Sequence, residues 1–311
     1  MHVLNSIAEL VQIPGPLVLA IGVFDGVHLG HRAVIERALS DARQLGGTAV
    51  VLTFDPHPIR ILRPDQAPRL LTSSAHKIRL IREIGAAHLL IIGFDLQFAA
   101  MPPEEFIRQL AAAARPLGEI CVGHQWSFGK GRAGNLDLLA RLGTELGFQE
   151  VGVPAVAIDG RIVSSTLVRH AVESGDLADA ARLLGRDYTI LGQVVEGDRI
   201  GRKLGFPTAN LGSHTEQLPP NGVYAAEVEL HGARLQAVVN IGVRPTIAQA
   251  SGQRILEVHL LDFDADIYGA QLDVTFRGVL RQEQKFADLD ALRAQIALDV
   301  AQARLILGLR R

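Results

Sequence analysis

The sequence lacks several features that would assign it to a familiar class of protein. Cys121 is the only cysteine in 311 residues, so no internal disulfide can form, which fits a reducing cytosol. No apolar run is long enough to cross a bilayer, and the first residues lack the basic segment of a signal peptide. We therefore expect a cytoplasmic protein without a membrane partner.

The sequence also lacks a large excess of positive or negative charge. The 31 lysines and arginines nearly balance the 33 aspartates and glutamates, which gives a net charge of -2. A general nucleic-acid binder would carry a basic excess, so we expect no nucleic-acid partner. The run GVFDGVHLGH, residues 22–31, lacks the G-x-G-x-x-G fingerprint, and G-x-x-x-x-G-K-[ST] occurs nowhere in the sequence, so any ATP must be held by another arrangement. Because the net charge is near zero, a phosphate site must be local. Nothing in the sequence sets an oligomeric state.

The first half of the chain alternates short apolar runs with helical patterns. The runs PLVLAIGVF, GTAVVLTF, AHLLIIGF and EICVGHQWSF are typical of buried strands. Continuous apolar strands that alternate with helices predict an α/β domain whose parallel sheet is covered on both faces. Residues 165–185 predict two short helices that close this half.

The second half has a different pattern. Strand-like segments follow one another with glycine-bearing connections, which predicts a small antiparallel barrel or sandwich. A terminal helix follows, because apolar residues recur there on one stripe. We place the domains at 1–185 and 186–311. The stripe consists of Leu292, Ile296, Val300, Ala303 and Leu307.

Two histidines stand where the first predicted strand gives way to a helix. Ligands of parallel α/β sheets gather at the carboxyl ends of strands, and Asp25 to His31 occupy such an end. The amides that open a helix favour phosphate, and Gly30 would let a ligand approach the backbone. His28 and His31 can donate hydrogen bonds to phosphate oxygens. A single histidine would more often cap the helix or face water, but a pair around a glycine favours a site.

Two further segments of this half carry polar groups with two possible roles. Ser164, Ser165 and Thr166 offer hydroxyls and Arg169 offers a charged fork for a triphosphate, although the same stretch fits a helix N-cap. In FDPHP, residues 54–58, the prolines could simply shape a turn that leaves its Asp and His in solvent. Both interpretations of each segment stay open at this point. Trp126 and Phe128 could line a ring-binding site, but such residues are more often core.

In the second half, a glycine-rich loop precedes a hydroxyl and an amide. Gly197, Gly201 and Gly205 are followed by Thr208 and Asn210, whose side chains would face the same way in an extended segment. Their oxygens suit a hard cation such as Mg²⁺ that carries phosphates, although both residues also form turns.

Glu257 stands on an alternating strand, either in a site or on a solvated face. The segment NIGVRPT, residues 240–246, is interpreted as a turn that carries Asn240 and Arg244.

These motifs resemble one protein family. GVFDGVHLGH resembles the His-x-Gly-His signature of nucleotidyltransferases, and its GVFDG run resembles that of prokaryotic bifunctional riboflavin kinase/FMN adenylyltransferases. TFDPHP, VGHQWSFGKGRAGN and VSSTLVR are similar to later segments of the same adenylyltransferase module. The resemblance implies a Rossmann-like nucleotidyltransferase domain in which His28 and His31 are catalytic. It implies that Asp55, His57 and Gln125 bind flavin and that ATP or its phosphates are bound by Gly22, Phe24, Asp25, Gly30, Ser164, Ser165, Thr166 and Arg169.

The second half resembles the riboflavin kinase module of that family. GRKLGFPTANL, GVYAAEV, NIGVRPT, EVHLLDFDADIYG and LRQEQKF follow in its order. The resemblance implies that Thr208 and Asn210 hold Mg²⁺ with ATP, that Glu257 is the catalytic base, and that Gly201 and Lys203 contact ATP. It implies a small antiparallel barrel, and a flavin side formed by Arg281, Glu283 and Phe286.

The implied function is the synthesis of FMN from riboflavin and ATP, followed by synthesis of FAD from FMN and a second ATP. At position 125 the family usually has Asp or Asn, whereas this chain has Gln, which is one methylene longer than Asn. That departure supports an alternative, in which the chain is a riboflavin kinase with an inactive or sensory nucleotidyltransferase-like domain.

Overall fold

A computed structural model describes residues 1–196, 201, 205–212, 216–243 and 254–308. The chain divides into two units, of which the first comprises Met1–Arg69 with Ser74–Ser165 and the second Leu70–Ser73 with Thr166–Arg311. The domain division at 185/186 stays a prediction. Lys203, Gly197 and Arg244, singled out above, lie outside the described residues.

The first unit contains a six-stranded sheet in which every neighbouring pair is parallel, as the alternation predicted. The strand order is β1-β4-β3-β2-β5-β6. The two edge strands were not predicted, because one is very short and the other carries charged and polar residues. The strands are β1 (His2–Leu4), β2 (Leu17–Ile21), β3 (Thr48–Asp55), β4 (His88–Gly93), β5 (Leu117–Gly123) and β6 (Gln149–Val153).

Helices cover both faces of this sheet. Every residue of β2 is buried, because Val18 and Ala20 enter one core cluster and Leu17, Leu19 and Ile21 enter the other. A small hairpin, β7 (Ala157–Ile158) and β8 (Arg161–Ile162), precedes the end of the unit. The helices are α1 (Leu29–Gln44), α2 (Pro58–Leu62), α3 (Ser74–Glu83), α4 (Leu96–Ala99), α5 (Pro103–Ala113) and α6 (Leu136–Leu146), with 3₁₀ turns at Ile7–Gln12, Pro64–Gln66 and Lys130–Arg132.

The second unit contains a closed barrel of six antiparallel strands in the order β10-β13-β12-β11-β14-β9. It confirms the predicted antiparallel barrel. The short strand β10, which the sequence did not predict, closes it by pairing with both β13 and β9. The strands are β9 (Thr189–Val195), β10 (Ala209–Leu211), β11 (Gly222–Leu230), β12 (Ala233–Val243), β13 (Arg254–Leu260) and β14 (Gln271–Gln282).

Within the described parts of this unit, the helices with defined bounds are α7 (Ser165–Ser174), α8 (Leu177–Leu184) and the terminal α9 (Leu289–Gly308). The pair α7 and α8 and the terminal helix agree with the sequence patterns. Ala303 and Leu307 of α9 are buried against β11 and β12, and Asp299 on the same stripe is also buried. Among the helices in the described ranges, none combines the length and the apolar character that crossing a bilayer requires.

Candidate active sites

The first candidate site lies at the point where the strand order of the parallel sheet reverses. β2 and β5 are neighbours, but the chain continues from β2 to β3 on one side and from β5 to β6 on the other. Such a reversal opens a crevice at the carboxyl ends of the two strands, where α/β proteins bind ligands. The connections that begin at Gly22 and His124 therefore border the crevice.

The connection from β2 to α1 has an unusual backbone. Phe24, Gly26 and Val27 all have positive φ angles of 53°, 84° and 41°. A positive φ is costly for a residue with a β-branched side chain such as Val27. The Phe24 ring is 1% exposed, and it lies so close to Gly22 that a Cβ there would be 2.7 Å from the ring. Phe24 is thus a core residue through its side chain, and its predicted contact with ATP stays a prediction.

The two histidines stack on one another at the start of α1. Their ring centroids are 3.5 Å apart, and the rings are inclined by 19°. His28 is the N-cap, since its Nδ1 accepts a hydrogen bond from the His31 amide at 3.3 Å. Because Nδ1 accepts, the ring proton of His28 stays on Nε2, which is left as the donor atom. A Cβ at Gly30 would lie 3.2 Å from the His28 ring, so glycine leaves room for this stack.

A buried lysine that the sequence analysis missed ties two site segments together. Lys77, on α3, is 7% exposed. Its ammonium donates to the Val23 oxygen at 3.1 Å, to Thr53 Oγ1 at 3.2 Å and to the Phe54 oxygen at 3.3 Å. Burial lowers the pKa of Lys77, and the charges of Asp25 and Asp55 partly oppose that shift. Three donors meet three acceptors, which fixes the ends of β2 and β3.

The serines of VSSTLVR occupy the beginning of α7. Ser165 Oγ donates to the backbone oxygen of Asp25 at 2.9 Å, so this hydroxyl anchors the β2 connection. Ser164 directly precedes the helix, Thr166 is exposed, and Arg169 is half-buried one turn further along. The roles of these groups toward phosphate stay predictions.

The residues expected to bind flavin in this unit lie on two connections. Asp55 is the exposed last residue of β3, and His57 caps the short α2 by accepting from the Ile59 amide at 3.1 Å. Gln125 is exposed in the turn after β5. The neighbouring Trp126 ring stacks on Phe128, with centroids 4.1 Å apart. Phe128 is a core residue, as the sequence favoured.

The single cysteine belongs to a buried polar cluster. The Cys121 thiol donates to Glu119 at 2.9 Å, and Arg37 pairs with Asp41 beside them. Burial raises the pKa of the Cys121 thiol far above its usual range and also raises the pKa of the Glu119 carboxyl. A thiol that stays protonated is a poor nucleophile, so Cys121 acts as a structural residue.

The second candidate site is a row of side chains across the barrel. Asn210 stands opposite Glu257, Glu257 opposite Asn240, Asn240 opposite Val223, and Val223 opposite Arg281. Val239 and Val258, which are adjacent in sequence to Asn240 and Glu257, are fully buried inside the barrel. Because successive side chains of a strand point to opposite faces, the row faces outward. The prediction of a turn at Asn240 was wrong, because this residue lies within β12. The strand-like run LQAVVNIG, residues 235–242, already contains Asn240, and β12 ends one residue beyond that run. The row brings together residues from five sequence motifs.

The segment that leads into β10 is held closely. The Phe206 amide donates to the Gly201 oxygen at 2.9 Å, and a Cβ at Gly201 would lie only 2.4 Å from the Phe206 oxygen and 3.2 Å from Thr208 Oγ1. His259 Nδ1 lies 2.8 Å from the Pro207 oxygen. A cavity of about 120 Å³ adjoins this segment. Its walls include Val194, Pro207, Thr208, Val258, Phe263 and Tyr268.

The predicted flavin residues of the barrel already have partners within it. Both Arg281 Nε and Nη2 contact the Asp299 carboxylate, at 3.0 and 2.9 Å, and Asp299 is 2% exposed. The Arg281 guanidinium carbon lies 5.5 Å from the centre of the Phe286 ring. Glu283 accepts from Asn221 Nδ2 at 3.2 Å. Arg281 therefore attaches α9 to the barrel, and its contact with flavin stays a prediction.

Sequence reasoning missed several residues of the two sites. Lys77 resembled a solvated helical residue, and Asp299 falls among apolar residues on α9. The cavity residues Phe263 and Tyr268 lie after β13, in a segment quoted above only for its resemblance. Only the periodicity of α9, which places Asp299 on its inner stripe, carried a usable signal.

Comparisons with known proteins identify both halves of the chain. Residues 11–167 match the family model described as FAD synthetase, and residues 184–307 match the one described as riboflavin kinase. A bifunctional riboflavin kinase/FMN adenylyltransferase from Escherichia coli (strain K12) is 41% identical over 311 residues, which cover 99% of each chain. A protein of the same name from Bacillus subtilis (strain 168) is 35% identical over 92% of this chain and 91% of that one.

A solved structure is also similar over nearly the whole chain. A crystal structure described as a macrolide-efflux protein from Streptococcus pneumoniae superposes with a TM-score of 0.82 at 28% sequence identity. The alignment covers 98% of this chain and 99% of that one.

Proposed function

The chain belongs to the family of bifunctional riboflavin kinase/FMN adenylyltransferases, and from that premise we propose which of its residues carry the two reactions. It phosphorylates riboflavin to FMN and adenylylates FMN to FAD, with ATP as co-substrate of both reactions. We assign the first reaction to residues 186–311 and the second to residues 1–185. Location in the cytosol stays a prediction.

In the kinase reaction, the 5′-hydroxyl oxygen of the riboflavin side chain attacks the γ-phosphorus of ATP. The bond to the β–γ bridging oxygen breaks, ADP leaves, and Glu257 accepts the hydroxyl proton. A positioned base of this kind contributes roughly 10²–10⁴ in rate. The observation that supports this assignment is the row on the barrel, in which Glu257 stands between Asn210 and Asn240.

Mg²⁺ fits the residues beside this row. The Thr208 hydroxyl and the Asn210 amide oxygen are hard donors of the kind that magnesium prefers. Gly201 leaves open the space next to Thr208 Oγ1 that a Cβ would fill, at 3.2 Å from that oxygen. When bound there, Mg²⁺ would neutralise charge on the ATP phosphates.

The cavity next to Thr208 is a candidate for the adenine of that ATP. Its walls combine apolar side chains such as Val194, Val258 and Phe263 with the polar residues Asp264, Asp266 and Tyr268. A flat heteroaromatic base with hydrogen-bonding edges matches such a mixed lining. Because Thr208 belongs both to the cavity and to the phosphate side, one ATP molecule would reach from the cavity to Glu257.

In the adenylyltransferase reaction, a phosphate oxygen of FMN attacks the α-phosphorus of ATP. The bond to the α–β bridging oxygen breaks, and pyrophosphate leaves. The stacked pair His28 and His31 supports this assignment, because it stands at the N-terminus of α1 beside the crevice of the sheet. The Nε2 donor of His28 and the first amides of α1 would stabilise negative charge as it builds on the phosphates, an effect of roughly 10²–10³ in rate for one donor.

Flavin binding is assigned to groups on the neighbouring connections. Asp55, His57 and Gln125 would contact FMN in the adenylyltransferase site, and the Trp126 ring beside Gln125 offers a flat apolar surface. The amide of Gln125 keeps the donor and the acceptor of an asparagine. Ser164, Ser165, Thr166 and Arg169 would hold ATP phosphates there.

Two variants assayed with separate substrates test both assignments. Glu257→Ala should lower riboflavin phosphorylation at least about a hundredfold and leave FMN adenylylation unchanged. The double variant His28→Ala/His31→Ala should have the opposite effect. Rates are followed by chromatography of riboflavin, FMN and FAD. If either variant kept both rates at the wild-type value, the site assigned to it would be wrong.

A further inference from the structure

The amide of Asn240 contacts the proposed base directly. Its Nδ2 donates to Glu257 Oε2 at 3.3 Å, from the strand next to that of Glu257. Residues directly opposite one another on antiparallel strands have Cβ atoms about 4.5–5.5 Å apart, which is within reach of these two side chains. An ionised carboxylate only accepts hydrogen bonds, so the N–H of an asparagine suits it and restricts its rotation.

A second carboxylate lies close to the same amide. The Glu283 carboxylate lies against the backbone of Gly242. A Cβ added to Gly242 would be 2.7 Å from Glu283 Oε1 and 3.6 Å from Asn240 Nδ2. Asn221 holds Glu283 there by donating to its other oxygen at 3.2 Å, and Asn221 in turn accepts from Arg254 at 2.7 Å. The Asn240 side chain therefore stands near two negative groups, where an amide is suitable and a further carboxylate is not.

We propose that Asn240 is a positioning residue for phosphoryl transfer, which holds Glu257 in the orientation that accepts the riboflavin hydroxyl proton. The proposal rests on the assignment of Glu257 as the base. Glu257 and Asn240 are both half-buried, so the contact is only partly screened by water. Asn210 flanks Glu257 on the opposite strand, and Asn240 thus completes an amide–carboxylate–amide row.

Steady-state kinetics of two variants separate this role from a structural one. Asn240→Ala should lower kcat for riboflavin phosphorylation about 10- to 100-fold, the value of a hydrogen bond to a charged group, with little change in KM for riboflavin or ATP. Asn240→Asp preserves the shape of the side chain but adds a charge beside two carboxylates, so it should lower kcat further than Asn240→Ala. A role in packing alone predicts the reverse order.

A double-mutant cycle tests the coupling to Glu257. Once Glu257→Ala has removed the base, adding Asn240→Ala should cause no further loss, because the two residues act as one unit. Gln236→Ala, an amide removed from the same strand, is the matched control and should leave kcat unchanged. Circular dichroism during thermal unfolding of each variant reports whether the barrel is folded.

Each outcome decides a different assignment. Wild-type kcat in Asn240→Ala, or losses that multiply in the double variant, would overturn the role of Asn240 and leave Glu257 as the base. Wild-type kcat in Glu257→Ala would overturn the base itself, and the role of Asn240 with it. An Asn240→Asp variant faster than Asn240→Ala would show that shape, not charge, is what matters at this position.

Discussion

The two candidate sites are built from different parts of the polypeptide. The first uses connections that follow parallel strands, where backbone groups, a helix N-terminus and two stacked rings come together. The second uses side chains that stand opposite one another on antiparallel strands of a barrel. Both sites are assigned to reactions at a phosphorus atom of ATP. On that assignment, the chain would stabilise negative charge on ATP phosphates by two different arrangements of polar groups.

The difference lies in what positions the polar groups. In the first site, positive φ angles at Phe24, Gly26 and Val27 direct the chain into α1, and Lys77 fixes the strand ends. In the second, strand register alone sets Asn210, Glu257 and Asn240 in a row. A change in local backbone conformation should therefore disturb the first site, and a change in strand pairing or cross-strand charge should disturb the second.

One glycine in each site allows the largest test of this comparison. At Gly201 a Cβ would lie 2.4 Å from a backbone oxygen, whereas at Gly30 it would lie 3.2 Å from the His28 ring, which can move. Gly201→Ala should lower riboflavin phosphorylation about 10²-fold, because a displaced Thr208 would misplace ATP. Gly30→Ala should lower FMN adenylylation by a smaller factor, about tenfold.

The control for both substitutions is Gly308→Ala, because a Cβ at Gly308 meets no atom within 4 Å. It should leave both rates unchanged. Initial rates at saturating substrate, with KM for ATP measured separately, decide the outcome. If Gly30→Ala lost more activity than Gly201→Ala, the backbone would be more tightly constrained at the first site than at the second, contrary to this expectation.

The sequence predicts the first site better than the second, for a physical reason. His28, Gly30 and His31 lie within four consecutive residues, so helix capping brings them together locally. The row on the barrel depends on which strands pair and in which register, and neither is encoded locally. The motif NIGVRPT was interpreted as a turn at Asn240, although the strand-like run LQAVVNIG contains this residue and it lies within β12.

The fold shows the same limit. Apolar runs predicted β2, β3, β4 and β5, and these strands form the middle of the parallel sheet. The edge strand β6, with the sequence QEVGV, is too polar to be recognised, and β10 is only three residues long. Both are strands because a neighbour supplies hydrogen-bond partners. Such tertiary pairing is not visible in a local pattern.

The ion pair between Arg281 and Asp299 provides a test in the barrel. Asp299→Ala would leave the guanidinium, which is only 19% exposed, without its carboxylate, at a cost of about 3–5 kcal/mol in the free energy of unfolding. Hydrogen exchange of α9 should accelerate accordingly, and riboflavin phosphorylation should be lost at lower urea concentration. FMN adenylylation should persist if the two units unfold independently.

Another pair on the same helix is the matched control. Arg304 of α9 binds Asp262 through two contacts of 2.8 Å, but both groups lie in solvent. Arg304→Ala should therefore leave the exchange rates of α9 nearly unchanged, since exposed pairs contribute little. Equal effects of the two substitutions would mean that burial does not determine the strength of attachment of α9.

Lys77→Met should have a smaller effect than the glycine substitutions and Asp299→Ala, because the methionine side chain fills the same space as the lysine. It removes three donors and leaves the Phe54 oxygen buried without the ammonium, a loss of about 1–3 kcal/mol in the free energy of unfolding. FMN adenylylation should fall while riboflavin phosphorylation stays unchanged. The chain has one tryptophan, Trp126, so its fluorescence in urea follows the first unit. Lys130→Met, at an exposed lysine of that unit, is the control.

The pH dependence of that loss distinguishes an ion from a mere hydrogen-bond donor at position 77. Burial lowers the pKa of Lys77 below its ordinary value of 10.5, so between the two values the folded chain binds fewer protons than the unfolded chain. Stability contributed by this residue must then rise with pH through that window. Wild-type protein should show this rise in urea titrations up to about pH 10, whereas Lys77→Met should lack it. If the free energy of unfolding depended on pH in the same way in both proteins, burial would not destabilise the charge of Lys77. The proposed role of a charged Lys77 at the strand ends of the first site would then be wrong.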